Sequence, residues 1–101
     1  MGLKPAANWV VCYDIADKKR LGRVFRLLKK NGIPIQYSIF LVCANNADMA
    51  ALFKQISALI DPRADDVRSY RLTDLHHMVL LGHSLTPDGV LIGCGIAALA
   101  D

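Results

Sequence analysis

Asp14 holds the chain's clearest chemical promise. It directly follows Trp9-Val10-Val11-Cys12-Tyr13, a short apolar run rich in β-branched and aromatic residues, so it falls where a buried strand ends. In α/β proteins that edge of a sheet is where ligands gather. A cation-rich segment begins at Lys18. Residues 18–30 hold Lys18, Lys19, Arg20, Arg23, Arg26, Lys29 and Lys30, seven of the twelve Lys and Arg, and no acid. One carboxylate beside a basic groove suits Mg²⁺-assisted phosphodiester hydrolysis, because Mg²⁺ takes only one or two protein carboxylates when phosphate oxygens and waters complete its shell. A single Asp per chain is thin for such a site, and a twofold dimer would supply the second. Position alone favours a plainer role for Asp14, the start of a turn before a helix.

Other chemistries are poorly served. All nine acids are Asp, at 14, 17, 48, 61, 65, 66, 74, 88 and 101. Without Glu, HExxH metalloproteases and zinc deaminases are excluded. For His76, His77 and His83 no carboxylate or Cys spacing completes a metal site, and they read as flanking a strand. Cys12, Cys43 and Cys94 form no CxxC pair. They are expected to be small core hydrophobes in a reducing compartment. Ser38 lies in no nucleophile elbow. Gly93-Cys94-Gly95-Ile96-Ala97-Ala98 imitates a dinucleotide fingerprint, but the chain lacks the helix, second strand and acid that must follow it.

The charge is uneven. Net charge is +3 overall. Outside residues 18–30, five cations face nine aspartates, leaving −4. A basic block on a slightly acidic body suggests a polyanion partner, although solvated charge is equally common on helices. The longest apolar run, Val90 to Ala100, has eleven residues, against the ~20 that a spanning helix needs. No signal-peptide pattern precedes the first strand, so a cytoplasmic, non-membrane protein is expected.

The elements that must position these residues follow from the apolar spacing. A length of 101 residues and 53% apolar content fit one globular domain. After the first strand, Asp17 suits a helix N-cap. Leu21, Val24, Phe25 and Leu28 form one helical face, and Lys19, Arg23, Arg26 and Lys30 a stripe on the other. Gly32 suits the position after the helix. Gly22 is unfavourable within it, unless close packing requires it. Ile33 to Ala44 reads as one long strand or two short ones hinged near Ser38. Asn45 or Asn46 opens a second helix that buries Met49, Leu52, Phe53, Ile56, Leu59 and Ile60 and stops at Asp61-Pro62. Asp66–Leu72 and Met78–Leu81 read as strands. After a turn at Thr86-Pro87-Asp88-Gly89 comes another, Val90–Ile92, and then a flexible or strand-like tail. This order fits an α+β sandwich with helices on one face of an antiparallel sheet.

Three blocks carry a family resemblance. Tyr13-Asp14-Ile15-x-Asp17-x-x-Arg20-x-x-Arg23-Val24, with Leu28 and Gly32, resembles the opening of the small CRISPR-associated endonuclease (endoribonuclease), partner of the CRISPR integrase in spacer acquisition. Ile35-Gln36-Tyr37-Ser38-Ile39-Phe40 is similar to that family's second signature, and Asp65-x-Val67-Arg68-x-Tyr70 to its third. The match spans about residues 9 to 82, with Gly82 closing a later strand.

The resemblance implies a ferredoxin-like βαββαβ fold with an extra C-terminal strand. It implies a single domain over residues 1–101, with a core over 8–82 and a C-terminal strand and tail over 83–101. It further implies a homodimer exchanging C-terminal strands, a cytoplasmic role in antiviral defence, and metal-dependent cleavage of RNA or double-stranded DNA. By this resemblance Asp14 is the metal ligand, for one Mg²⁺ or Mn²⁺ shared at the dimer twofold. Tyr13, Ser38 and Phe40 complete the catalytic set. Arg20 and Arg23 contact phosphates, in a nucleic-acid surface with Lys19, Arg26 and Lys30. Ile33 to Ala44 becomes two strands. The chain departs from the family at Leu41, where many members carry an acid, and at Pro34, where some carry a basic residue. Competing readings are a non-catalytic DNA-binding scaffold in the integrase complex, a toxin-type ribonuclease of related fold, and a ferredoxin-like small-ligand sensor. The basic block argues against the last.

Overall fold

In the computed structural model, residues 5–73, 90–93 and 96–99 are described. The expected strand over Met78–Leu81, the turn over 86–89, the histidines and Cys94 lie outside them. The chain runs β1 (Ala7–Asp14), α1 (Lys18–Asn31), β2 (Gly32–Gln36), β3 (Ile39–Ala44), α2 (Asn46–Leu59), β4 (Asp66–Leu72), β5 (Val90–Gly93) and β6 (Ile96–Leu99). Strands β1 to β4 form one antiparallel sheet in the order β2-β3-β1-β4. This is the ferredoxin-like split arrangement. The last two strands pair with each other as a separate antiparallel ribbon, and β5 comes close to β3. The dinucleotide-like string thus falls across two paired strands and not on a strand followed by a helix.

Both helices begin where capping chemistry places them. The Asp17 carboxylate accepts from the Arg20 N–H at 3.0 Å, and the Asn45 side chain accepts from the Asp48 N–H at 2.8 Å. Each satisfies an otherwise unpaired first-turn donor. Val24 and Leu28 of α1 and Met49, Leu52 and Ile56 of α2 meet Val11 and Tyr13 of β1 and Phe40 and Val42 of β3. That is the core, on one face of the sheet. The other face carries Val10, Cys12, Ile39, Leu41 and Leu72, by strand alternation.

The ends of α1 and β3 correct two expectations. Gly32 does not take the left-handed conformation of a helix-stop glycine; it is extended and already the first residue of β2, so α1 passes into the strand with no loop. A Cβ there would lie 2.4 Å from the Leu41 carbonyl oxygen and 2.8 Å from Val42 Cγ2. Close approach to β3, not backbone freedom, requires glycine. Cys43 is exposed and disulfide-bonded rather than a core thiol, because alternation turns it away from the core that Val42 enters. Cys12 is half-buried and free.

The segment from Ile33 to Ala44 is two strands. Gln36 pairs with Ile39 across the two-residue turn Tyr37-Ser38, and the register slips between Pro34 and Gln36, a bulge at Ile35. Ser38 takes φ 65°, a conformation usually left to Gly or Asn. Its carbonyl accepts the Tyr13 N–H at 3.0 Å, which ties the turn to the end of β1.

Candidate nucleic-acid interface

At about 100° per helical residue, Lys19, Arg23, Arg26 and Lys30 fall within an arc of roughly 60° on α1. All four are exposed, as are Lys18 and Lys29 beside them. Among the described residues none of the six pairs with a carboxylate. The Lys29 ammonium lies 5.9 Å from the centre of the Phe25 ring. This is a strip of unneutralised charge on a rigid rod, suited to a phosphate backbone.

Arg20 does not belong to that strip. It sits about 90° around the helix from the arc's centre, and its guanidinium forks onto Asp65, Nε to Oδ2 at 2.8 Å and Nη2 to Oδ1 at 3.2 Å. The Asp65 side chain is 0% exposed. It also accepts the Ala16 N–H at 2.9 Å and the Asp61 N–H at 2.8 Å. The Arg20 hydrogen bonds, with help from the two backbone donors, hold its carboxyl well below the usual carboxylate range. Arg20 is raised in turn by the same partner. At Arg20, where a phosphate contact is expected, two guanidinium nitrogens are engaged by this acid, and the cation clips the β1–α1 loop to the α2–β4 loop. The D-x-V-R-x-Y block held the missing partner, but the 45-residue separation hides such a pair from any local pattern.

Of the four residues expected to act together at the end of β1, the pleat parts Asp14 from Tyr13 and Phe40. Tyr13 enters the helix side, 7% exposed, with its ring 6.1 Å from that of Phe40; burial pushes its hydroxyl pKa up. Asp14, the next residue, is exposed and belongs to the opposite face with Cys12 and Val10. Among the described residues its carboxylate has no hydrogen-bond or ion-pair partner. Asp66 stands across from it on β4 but turns to Arg68, Oδ2 to Nε at 3.0 Å. Phe40, expected in the catalytic set, is fully buried. Its ring also meets Phe25 edge-on at 5.4 Å. Ser38 is exposed at the turn and offers its backbone to Tyr13.

Between α1 and that turn lies a cleft of about 520 Å³, lined by Tyr13, Gly22, Phe25, Arg26, Tyr37 and Ser38, with Lys18 and Leu21. Tyr37 is 73% exposed. Sequence reasoning gave no role to Lys18, Phe25 or Tyr37 here. The signal available was the spacing of Lys18, Gly22 and Arg26, one helical turn apart. Among the described residues no three His, Cys or acidic side chains cluster as metal ligands. Asp14 as a single carboxylate fits Mg²⁺ only where substrate oxygens, water or a second copy complete the shell.

Comparison with known proteins follows the same residues. The family model described as CRISPR associated protein Cas2 matches residues 7–77. CRISPR-associated endoribonuclease Cas2 1 of Nitrosomonas europaea is 34% identical over 84 residues, covering 83% of this chain and 80% of the relative. CRISPR-associated endoribonuclease Cas2 2 of Thermodesulfovibrio yellowstonii is 41% identical over 83 residues, covering 81% and 91%. Among solved structures, Streptococcus pyogenes Cas2 superposes with a TM-score of 0.68 at 26% identity, covering 74% of this chain and 99% of that one. A hypothetical protein of Thermus thermophilus gives 0.72 at 27%, covering 81% and 98%. With the sheet order, the opening block and the basic helix all inside the matched span, the chain belongs to the CRISPR associated protein Cas2 family.

Proposed function

We propose that the chain is a divalent-metal-dependent endonuclease acting on RNA or double-stranded DNA during spacer acquisition, as a homodimer partnered with the CRISPR integrase in the cytoplasm. The observation that carries this is Asp14: an exposed carboxylate without a hydrogen-bond or ion-pair partner among the described residues, at the rim of an apolar sheet face. That face, with Val10, Cys12, Ile39 and Leu72 half-buried, is suited to a second copy. Packed about a twofold, it would bring two Asp14 carboxylates to one Mg²⁺ or Mn²⁺. Bound there, the ion would polarise a phosphoryl oxygen and lower the pKa of an attacking water. Lys19, Arg23, Arg26 and Lys30 would grip phosphates and set the register of the strand. No helix among the described residues is long and apolar enough to cross a membrane.

One observation favours a second reading, a DNA-holding scaffold without cleavage. The pleat puts Asp14 on the face opposite the helices, away from the cations of α1. A cleavage assay with Mg²⁺ or Mn²⁺ separates the two. Asp14→Asn keeps the shape but removes the charge that holds the cation, so cleavage should fall by orders of magnitude while duplex binding is equal or tighter. Full activity in Asp14→Asn would assign the cleavage elsewhere. No cleavage by the unaltered chain with either metal favours the scaffold.

A further inference from the structure

We propose that the cleft between α1 and the Tyr37-Ser38 turn binds one unpaired nucleotide, its base against the aromatic wall and its phosphate on Lys18 and Arg26. The inference rests on the nucleic-acid reading only for the class of ligand. The cleft's volume of about 520 Å³ lies within the ~300–1,000 Å³ of small-molecule sites. Its chemistry is divided. Tyr13, Phe25 and Tyr37 give flat apolar surface, while Lys18 and Arg26 give positive charge at the same opening. That combination matches a base joined to a phosphate, and neither a neutral lipid nor a bare anion uses both halves. A paired base hides its faces in the stack, whereas an unpaired one offers them to aromatic side chains.

Two features hold the cleft in shape. Phe40 supports it from beneath, touching both the Tyr13 and Phe25 rings. Gly22 keeps it open. A Cβ there would come within 3.2 Å of the Arg26 Nη1, so a larger side chain would occupy the space and displace the cation. The three atoms nearest to such a Cβ all belong to the Arg26 guanidinium, so a glycine here leaves that cation its place at the cleft.

The test is a titration of backbone amide resonances of the full chain with AMP, adenosine and inorganic phosphate, in chelator. AMP should shift Tyr13, Gly22 and Ser38 saturably. Adenosine and phosphate should each bind about tenfold more weakly, because each uses one half of the site. Gly22→Leu should weaken AMP at least about tenfold without loss of helix, since leucine is the better helix former. Arg26→Ala should weaken it about tenfold and serves if Gly22→Leu fails to fold. A duplex with a short single-stranded end that moves the same resonances, when a blunt duplex does not, would identify a strand end as the source. The same shifts from AMP alone would identify a free nucleotide. The proposal is overturned if phosphate binds as tightly as AMP, if both variants bind AMP like the unaltered chain, or if the shifts fall only along Arg23 and Lys30. Without metal or cleavage in the assay, failure here leaves the Asp14 reading standing, and failure of that reading leaves this one.

Discussion

Arg20 and Arg23 are the same residue type on the same helix, three positions apart, and their surroundings are opposite. Arg23 is exposed and unpaired among the described residues. Arg20 is 26% exposed and locked onto a carboxylate that solvent does not reach. Counting cations would treat them alike. The angle around the helix separates them: one faces out along the basic strip, the other faces the α2–β4 loop. A cation without a partner is available to a ligand, whereas a cation that neutralises a buried acid is part of the fold.

The sharpest way to break that contrast is to remove the buried acid. Asp65→Asn should lower the melting temperature more than any single cation replacement on the exposed strip, because it turns one of the two accepting oxygens, each of which takes two of the four hydrogen bonds, into a donor and removes the charge opposite Arg20. The loss should depend on pH with a definite sign. The folded carboxyl titrates well below its unfolded value of ~3.9, so its stabilisation is complete above about pH 4 and fades as pH falls toward the folded pKa. Melting curves should therefore differ most near neutrality and converge in acid. A gap of the same size at pH 7 and at about pH 2.5 would show that the charge on Asp65 contributes nothing.

Next comes the strip itself. Arg23→Ala with Arg26→Ala should leave thermal stability nearly unchanged and weaken duplex binding across sequences. If ~4 phosphates are neutralised by the unaltered chain, log K against log[salt] should slope by roughly −3 to −4, and the double variant should lose about 2 from that slope. Arg20→Ala should do the reverse, costing stability with the slope intact. Equal slopes in all three proteins would dissolve the distinction.

The smallest effect belongs to Gly22→Ala. The nearby Arg26 guanidinium is the flexible end of a long side chain and can yield. Helix propensity then dominates, and stability should rise by up to ~1 kcal/mol in denaturant melts. A loss would mean that Arg26 is held more firmly than its exposure suggests.

Local signals carried the fold a long way. Apolar spacing locates both helices, Asp17 and the choice of Asn45 or Asn46 mark their starts, and the strand expected over Asp66–Leu72 has the bounds of β4. Local signals leave Ile33 to Ala44 as one strand or two hinged near Ser38, because the turn uses Tyr37 and Ser38 where Gly or Asn would announce it. Only the family resemblance divided it. At the site, the cation strip was legible from helical period. The Arg20–Asp65 fork was not, being a contact across 45 residues. The separation of Tyr13 from Asp14 was legible in principle, since alternate residues of a strand face opposite ways.

The junction at Gly32 makes chain length between two surfaces a fixed quantity. A loop would absorb an inserted residue; here none intervenes between the last residue of α1 and the first of β2. One extra residue in the helix would swing everything before it about 100° around the axis, carrying the cations out of line with the sheet. Placed just beyond, it would exchange the two faces of β2 and push a side chain into the Leu41 carbonyl. Homologous sequences should therefore vary in residue identity along this stretch far more freely than in residue number, with insertions gathering elsewhere.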